Sequence, residues 1–408
     1  MKILVVSISA PPRNSPESLQ TGRYIKYLAG KHKVTLVTAE SPGGWEPVDE
    51  TLLDYLNNIH KTISLKLWPR KLVDFIRVFF PSLLIPDEYF YLQKKYRHVA
   101  DEIGDKPDII ISRSAPFSSA LLALQLSKAW NAPWIMHLSD PWADNPFSRF
   151  NKNQHRKNQK LEKSCIEAAN LVTLTSIKTI NWFQKKYPLL THKFRLLPNV
   201  YDDEQLLAPD NGPEDKIRFV FTGRLYGNRK IHPFLEAAEQ VARAHKEWEE
   251  KSEIILAGFF DEENQQRIKM SNLKNIVIQG AVSGKQALEL QKKASVLLSV
   301  DALEADERYD LFFPSKLLDY MAAGRPVLAI ARRGSTTYEI VEGKIGKCFC
   351  PENINELPCF LKQIVMGQTA GSFSPGTQNA IGDYAASVNA GKLEKWIKEI
   401  LDATKSTA

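Results

Sequence analysis

The stretch KILVVSIS, Lys2–Ser9, decides the fold class of this chain. It is a continuous run of β-branched and aliphatic residues, which is typical of a strand buried on both faces of a sheet. A loop rich in Pro and Ser follows, then a helix predicted over Leu19–Gly30 and a second buried strand over Val34–Thr38. This strand–helix–strand order indicates a parallel α/β sheet.

The same alternation recurs in two blocks, which predicts two domains and a terminal helix. A polar segment rich in turn-forming residues, Asp203–Lys216, reads as the linker between the blocks. The predicted domains are 1–205 and 206–380, and the helix in 381–408 is expected to cross back to the first domain. Each domain is predicted to be a Rossmann-like, doubly wound parallel sheet. Such sheets bind ligands at the carboxyl ends of their strands, so the expected site is a central cleft between the two domains.

Composition excludes several classes of protein. The 408 residues are 43% hydrophobic and 25% charged, with 20 Gly and 23 Pro, which are globular values. No apolar run approaches the roughly 20 residues of a membrane-spanning helix, and Met1–Ala10 is too short for a secretory signal. The four Cys do not have the spacing of a zinc site, so no metal is predicted. The expectation is a soluble, cytoplasmic protein.

The positive charge is concentrated in the first half of the chain. Residues 1–205 carry 28 Lys and Arg against 20 Asp and Glu, whereas residues 206–408 carry 26 against 27. A one-sided positive field favours an anionic partner, such as a membrane surface, a phosphorylated substrate or nucleic acid. No recognisable nucleic-acid-binding module is present, so nucleic acid is not an expected partner.

A first motif that carries chemistry is Phe219–Ala238, FVFTGRLYGNRKIHPFLEAA. A buried strand runs into Gly223 and Arg224, and a basic pair, Arg229 and Lys230, precedes the next helix. Gly allows close approach of the backbone to a ligand, and several cations near a helix N-terminus can neutralise a diphosphate. The alternative is a solvated loop whose Arg pairs with a local Glu.

A second motif is Phe312–Ala331, FFPSKLLDYMAAGRPVLAIA. Ser315 is predicted to cap a helix, with Lys316 in its first turn. A cation there opposes the helix dipole unless an anion lies opposite, which is a sign of phosphate binding. Asp319 lies one turn later and is predicted to accept hydrogen bonds from sugar hydroxyls. The alternative is an ordinary exposed helix.

In this order the two motifs resemble the GT-B glycosyltransferases, specifically the retaining, nucleotide-sugar-dependent family 4. The resemblance implies that Gly223, Arg224 and either Arg229 or Lys230 hold the diphosphate of the donor; the spacing of the next helix favours Arg229 and residue type favours Lys230. It also implies a ribose contact for Asp319. Arg224 and Lys230 would act catalytically by stabilising the charge of the leaving diphosphate. The anomeric configuration would be retained, with neither a metal nor a cofactor beyond the nucleoside-diphosphate sugar.

One position departs from the family pattern. Leu311 stands where the family places a Glu that contacts the transferred sugar, and Asp310 is the candidate to replace it. Some relatives with a Pro-Ser-Lys-Leu segment also lack this Glu. The identity of the sugar is therefore left open.

The first domain supplies the acceptor side in this family. The segment WIMHLSDPW, Trp134–Trp142, ends a predicted strand, with His137 and Asp140 as candidates to contact the sugar or the acceptor hydroxyl. Arg113 and Ser114 end another strand at the same edge and are candidates to face the acceptor. The alternatives are a structural His at a strand end and an Asp-Pro turn.

Two stretches of the first domain point to a membrane. Trp68–Pro86 mixes aromatic and aliphatic residues with Arg and Lys, and Arg149–Lys163 is strongly basic. Exposed together they would form a surface that docks on anionic lipid, peripherally on the inner face of the membrane. The alternative is a core segment beside a solvated basic helix. The acceptor is then expected to be a glycan or a lipid-linked sugar, such as a growing surface polysaccharide.

The predicted function is that of a hexosyltransferase-like glycosyltransferase that takes a nucleotide-sugar donor. One alternative is a GT-B sugar-nucleotide epimerase or hydrolase that uses the same diphosphate site. Another is a non-catalytic nucleotide-sugar-binding protein. A dinucleotide oxidoreductase is disfavoured because no Gly-x-Gly-x-x-Gly follows the first strand.

Overall fold

The computed structural model describes residues 1–40, 48–148, 150–205, 216–367, 373 and 381–406. The chain divides into two compact units, the first of Met1–Val200 with Ala386–Ala408 and the second of Tyr201–Ala385. Most of the predicted linker lies outside the described residues. Each unit is built on one parallel sheet.

The sheet of the first unit has seven strands in the order β3-β2-β1-β4-β5-β6-β7, and every neighbouring pair is parallel. The strands are β1 Lys2–Val6, β2 Lys33–Ala39, β3 Lys61–Leu65, β4 Ile109–Ser114, β5 Trp134–Leu138, β6 Leu171–Leu174 and β7 Phe194–Leu196. The central strands are buried along almost their whole length, because helices cover both faces of the sheet.

The sheet of the second unit has six strands in the order β10-β9-β8-β11-β12-β13, again all parallel. They are β8 Ile217–Leu225, β9 Ser252–Phe260, β10 Ile276–Gly280, β11 Val296–Val300, β12 Val327–Ile330 and β13 Gly346–Phe349. The prediction of two Rossmann-like parallel sheets is confirmed.

Helices connect the strands of both sheets. In the first unit they are α1 Pro16–Ala29, α2 Arg70–Phe79, α3 Tyr96–Ile103, α4 Ser118–Trp130, α5 Lys152–Ala168 and α6 Ile177–Lys186. In the second they are α7 His232–Ala244, α8 Glu247–Glu250, α9 Glu262–Lys269, α10 Gly284–Lys292, α11 Lys316–Ala322, α12 Thr336–Val341 and α13 Leu357–Val365. None of the helices in the described ranges has the length and apolar character to span a bilayer.

Capping explains why two helices start earlier than predicted. α1 begins at Pro16, because the Ser15 side chain accepts a hydrogen bond from the Ser18 amide and Pro suits the first helical position. The sequence predicts a helix only over Gln159–Ala169, but α5 begins at Lys152, seven residues earlier, because Asn151 and Gln154 form a capping box.

The last helix, α14 Ala386–Ser406, belongs to the first unit. Its buried residues Leu393 and Ile397 join the hydrophobic cluster that contains Ile25 and Leu28 of α1. This apolar stripe at helical spacing is what places the end of the chain against the first sheet.

Candidate functional site

At the carboxyl end of β8, two glycines on neighbouring strands leave the backbone without side chains. The sequence predicts a strand over Ile217–Thr222, but β8 continues to Leu225, and Gly223 and Arg224 pair with Gly258 and Phe259 of β9. A Cβ atom on Gly258 would lie 1.8 Å from the carbonyl oxygen of Gly223. Arg224 is exposed and makes no hydrogen bond or ion pair with any residue in the described ranges. Its guanidinium is therefore available to a ligand.

Lys316 brings a buried ammonium to this end of the sheet. Its Nζ lies 4.0 Å from the centre of the Phe221 ring. A Cβ atom on Gly223 would be 3.6 Å from the same Nζ, so glycine leaves open backbone beside the charge. Within the part of the chain that the structure describes, this ammonium has no hydrogen-bond partner, although no solvent reaches it. A buried cation without a partner is costly to the fold.

This unfavourable burial of a charge shifts the pKa of Lys316. The pKa of Lys316 is lowered to about 7, mainly by burial and also by the positive charge of Arg229, while Asp301 partly opposes the shift. Asp301 directly follows β11, the strand beside β8. An anion bound here would restore the full charge of Lys316.

The loop after β8 is held by the start of α9. The Gly227 amide donates to Asp261 Oδ2 at 2.9 Å, and the Ile231 amide donates to Asn264 Oδ1 at 3.0 Å. The fixed loop separates its two cations. Arg229 lies over the Tyr226 ring at 5.6 Å and its charge reaches Lys316, whereas Lys230 forms an ion pair with Glu263. The sequence analysis gives an ion pair between an Arg of this loop and a local Glu as the alternative; in the structure Lys230 forms such a pair instead.

The predicted cap at Ser315 is wrong. Ser315 has helical dihedral angles and its side chain makes no capping hydrogen bond, so α11 begins at Lys316 without a side-chain cap. Asp319 lies on α11 and is partly exposed. A Ser at a helix start caps the helix only when its own backbone is extended, and the sequence does not show the backbone conformation of Ser315.

Sequence reasoning missed Arg332, which follows β12. Its Nη1 lies 3.4 Å from Oδ2 of Asp310, the carboxylate considered as a replacement for the missing Glu. Asp310 and Leu311 are both buried. The Asp310 carboxylate is thus already paired within the second unit. The sequence does contain a sign of Arg332, because a basic pair, Arg332 and Arg333, follows the apolar strand.

In the first unit the carboxyl ends of β4 and β5 meet the start of α1. Arg113 Nε donates to Glu17 Oε1 at 3.1 Å, and the Ser139 hydroxyl donates to the other oxygen of Glu17. Arg113 also lies over the Tyr24 ring, at 4.8 Å from its centre. Arg113 is almost completely buried, while Glu17 keeps about a tenth of its side chain exposed.

Glu17 is the second functional candidate that sequence reasoning missed. Burial raises its pKa to about 7; Arg113 and Ser139 oppose the rise, and Asp140 adds to it. Asp140, a predicted site residue, therefore lies within electrostatic reach of Glu17. A partly accessible carboxyl group that titrates near neutral pH is typical of sites that move protons.

The structure encloses His137 in the first unit. Its Nδ1 is 2.9 Å from the Thr173 hydroxyl, and its Nε2 has no hydrogen-bond partner among the described residues. Burial, with a further effect of Arg113, holds the pKa of His137 well below its usual value, so the ring is neutral. It lines a cavity of about the size that one water molecule needs. The Ser114 hydroxyl is also buried and unbonded within the described ranges.

We expect Glu17→Gln to flatten the pH dependence of stability. A carboxyl whose folded pKa is about 7 keeps a proton that the unfolded chain loses near 4.5. The wild-type protein should therefore lose stability as the pH rises from 4.5 to 7, by at most about 1.4 kcal/mol per unit from this group. Chemical denaturation of both proteins across this range measures the difference, and parallel curves would contradict the raised pKa.

The described residues contain no cluster of three or more His, Cys, Asp or Glu that could hold a metal ion. Cys165, Cys348 and Cys350 are buried free thiols, and burial raises the pKa of each. All three pack within the hydrophobic clusters of their units.

Two family models match the chain, one in each half. The model described as Glycosyltransferase Family 4 matches residues 21–205, and the model described as Glycosyl transferases group 1 matches residues 216–364. Together they cover about four fifths of the chain. The chain belongs to the GT-B glycosyltransferases. No curated protein matches the sequence of this glycosyltransferase.

Solved structures share its fold over almost the full length. Sucrose-phosphate synthase from Thermosynechococcus elongatus has a TM-score of 0.70 at 16% identity, covering 99% of this chain and 100% of that one. Anabaena HepE, in complex with UDP, has a TM-score of 0.61 at 16% identity and full coverage of both chains. S. aureus TarM, in complex with fondaparinux, α-GlcNAc-glycerol and UDP, has a TM-score of 0.64 at 12% identity, covering 97% and 99%. At these identities the likeness establishes the fold.

Proposed function

We propose that this glycosyltransferase transfers a sugar from a nucleoside-diphosphate sugar to a hydroxyl acceptor, with retention of the anomeric configuration. One observation carries the proposal. The Lys316 ammonium is buried beside the bare backbone of Gly223 and has no hydrogen-bond partner in the described chain. A donor diphosphate supplies the anion that this arrangement lacks.

The second unit can stabilise the leaving group by charge alone. As the bond between the anomeric carbon and the diphosphate oxygen breaks, negative charge accumulates on the phosphate oxygens. Arg224, Lys230 and Lys316, supported by Arg229, face this charge in the proposed complex, and preorganised cations are the largest contribution in such reactions. Neither a metal nor a cofactor is required by this scheme. Asp319 is proposed to bind the ribose, and Ser315 to donate to the donor.

The first unit is proposed to bind the acceptor. Asp140 and the Glu17 carboxyl, which are both partly exposed, are proposed to contact the acceptor, with Arg113 holding Glu17 in place. Ser114 lies at the end of the same strand as Arg113. Because His137 is enclosed, it is proposed to line the small cavity that Arg113 also lines rather than to touch the substrate.

We further propose that the acceptor is a glycan or a lipid-linked sugar of cell-surface polysaccharide or glycolipid synthesis. The protein would then work in the cytoplasm, peripherally on the inner face of the membrane. HepE and TarM were each solved with UDP, and TarM with glycan ligands, which supports a nucleotide donor and a glycan acceptor for a protein of this fold.

A nucleotide-sugar panel tests the proposal. The full-length protein is incubated with UDP-, GDP- and dTDP-sugars, and thermal stabilisation and nucleotide release are measured with and without candidate glycan acceptors. We expect release that depends on an acceptor, survives EDTA and gives a product of the donor's anomeric configuration by NMR. Release without an acceptor would indicate an epimerase or hydrolase instead, and stabilisation by no nucleotide would overturn the proposal.

We expect Lys230→Ala to weaken UDP binding by about tenfold and Glu263→Gln to strengthen it a few-fold. Charge-assisted hydrogen bonds contribute about 1.5–3 kcal/mol each. The exposed Glu263 now competes for Lys230, and such exposed ion pairs are weak enough to be displaced. Calorimetric titration of both variants, and of Arg229→Ala as the matched neighbour, measures the effects. If only Arg229→Ala weakens binding, Arg229 holds the diphosphate and this assignment of Lys230 fails.

A further inference from the structure

The helix α2 presents an apolar face to solvent. Its large side chains and those of the next turn are between 42% and 71% exposed, and they are Leu72, Phe75, Val78, Phe79, Phe80 and Leu83. At 100° per residue the four on the helix, Leu72 to Phe79, fall within an arc of about 120°. The rings of Phe75 and Phe79 contact each other, with centres 4.8 Å apart. A contiguous apolar surface of this kind marks an interaction site.

The helix is anchored so that this face points outward. Val73 and Ile76 are buried beneath it. Arg77 forms ion pairs with Asp74 and Glu88, and Arg70 pairs with the same two carboxylates. The carboxylates near α2 are thus engaged by these arginines rather than lying among the exposed phenylalanines, which leaves the apolar face free of negative charge.

A basic helix adjoins this face. The Lys157 ammonium of α5 donates to the carbonyl oxygen of Ser82 at 3.0 Å, directly after α2. Five cations of α5 lie within an arc of about 140°, and all are exposed: Lys152, Arg156, Lys157, Lys160 and Lys163. Two carboxylates accompany them on α5; Glu162 is buried and Glu167 lies near Lys163. The basic stretch predicted from the sequence is therefore beside the apolar one, although Arg149 lies outside the described residues.

We propose that the exposed faces of α2 and α5 together dock the protein on an anionic lipid bilayer. The phenylalanines would enter the boundary between head groups and acyl chains, and the α5 cations would contact the anionic head groups. Charge complementarity selects this occupant, because a second copy of the chain would bring two basic helices together. The inference deepens the proposed membrane association but is independent of sugar transfer, which a vesicle experiment does not require.

Vesicle flotation tests the docking surface directly. The full-length protein is mixed with vesicles of phosphatidylcholine alone or of phosphatidylcholine with phosphatidylglycerol. We expect binding to the anionic vesicles only, weakened by salt because screening reduces the contribution of α5. The double substitution Phe75→Ser with Phe79→Ser should lower the partition coefficient at least about tenfold, since each ring loses its apolar burial. Leu189→Ser, at a side chain of the same unit that is 89% exposed, is the matched control and should bind as the wild type does.

A second pair of variants tests the charge. Arg156→Glu with Lys160→Glu should abolish the preference for anionic vesicles, whereas Lys285→Glu with Lys293→Glu, at exposed lysines of the second unit, should not. Equal binding of wild type and the Phe variant to anionic vesicles would overturn the proposal. So would a wild-type dimer in sedimentation that the Phe variant lacks, because a second copy would then cover α2. Nucleotide binding is measured alongside, so that a failure of the donor site is distinguished from a failure to dock.

Discussion

Lys316→Met is expected to make the protein more stable and to weaken UDP binding by about a hundredfold. The substitution removes an ammonium that is buried against Phe221, and Met fills similar apolar space. The loss of binding corresponds to about 3 kcal/mol, as for a charge-assisted contact to the diphosphate. The same change should stabilise the ligand-free protein by about 2 kcal/mol at pH 6, because an unpaired buried charge disappears.

The pH dependence follows from the same pKa. In the folded protein Lys316 has a pKa of about 7, against 10.5 for an ordinary Lys. Between these values the unfolded chain holds the extra proton, so this group makes wild-type stability rise with pH above about 7. The advantage of Lys316→Met should therefore be largest at or below pH 7 and shrink toward pH 10. Differential scanning calorimetry over this range measures it.

Donor binding should take up a proton at the same residue. If the diphosphate recharges Lys316, wild-type affinity for UDP should fall by up to about tenfold per pH unit above pH 7. Lys316→Arg keeps its charge throughout and should show a flatter profile, which makes it the matched control. Calorimetric titrations in buffers of different ionisation enthalpy count the protons directly. Identical pH profiles for wild type and Lys316→Arg would show that Lys316 does not meet the donor.

Gly258→Ala is expected to destabilise the second unit by about 3 kcal/mol or more. A Cβ atom there would meet the Gly223 carbonyl oxygen at 1.8 Å and the Gly223 carbonyl carbon at 2.8 Å, and both atoms belong to a neighbouring backbone. The φ of Gly258 is also 132°, in a region that other residues avoid. Overpacking against backbone cannot be relieved by a rotamer change, so the two strands must separate. Denaturation monitored by calorimetry measures the loss.

The matched control is Gly280→Ala at the end of β10. Gly280 has a φ of 58°, but no atom lies within 4 Å of its added Cβ. This variant should cost only about 1 kcal/mol, the price of the backbone conformation itself. A similar loss for both variants would mean that the contact between Gly258 and Gly223 contributes nothing. UDP affinity should also fall in Gly258→Ala, because Gly223 lies beside Lys316.

The parallel sheets could be predicted because each central strand is buried on both faces. The runs WIMHL, Trp134–Leu138, and VLLSV, Val296–Val300, each predict a buried strand, and the structure gives both strands the same bounds. All of their residues except His137 are apolar or small. The first residues of the helices were harder to predict from the sequence. α5 begins seven residues before its prediction, because its first two turns are basic and only the cap between Asn151 and Gln154 marks the start.

The order of the two motifs in the second half was enough to predict a diphosphate site from the sequence. The sequence could not show which side chains of the site are charged and which already form ion pairs, since charge state and pairing depend on residues far apart in the chain. Glu17 and Arg113 are 96 positions apart in the chain, and Lys230 forms an ion pair with Glu263, which is 33 positions away.

By itself the sequence determined the fold class, the two sheets and the residue types at the ends of their strands, because local periodicity encodes burial. Only the tertiary structure decided that Lys316 is buried without a described partner, that Ser315 does not cap α11, and that the α2 and α5 faces adjoin. Those properties arise from contacts and desolvation, which depend on the whole packed chain rather than on any one segment.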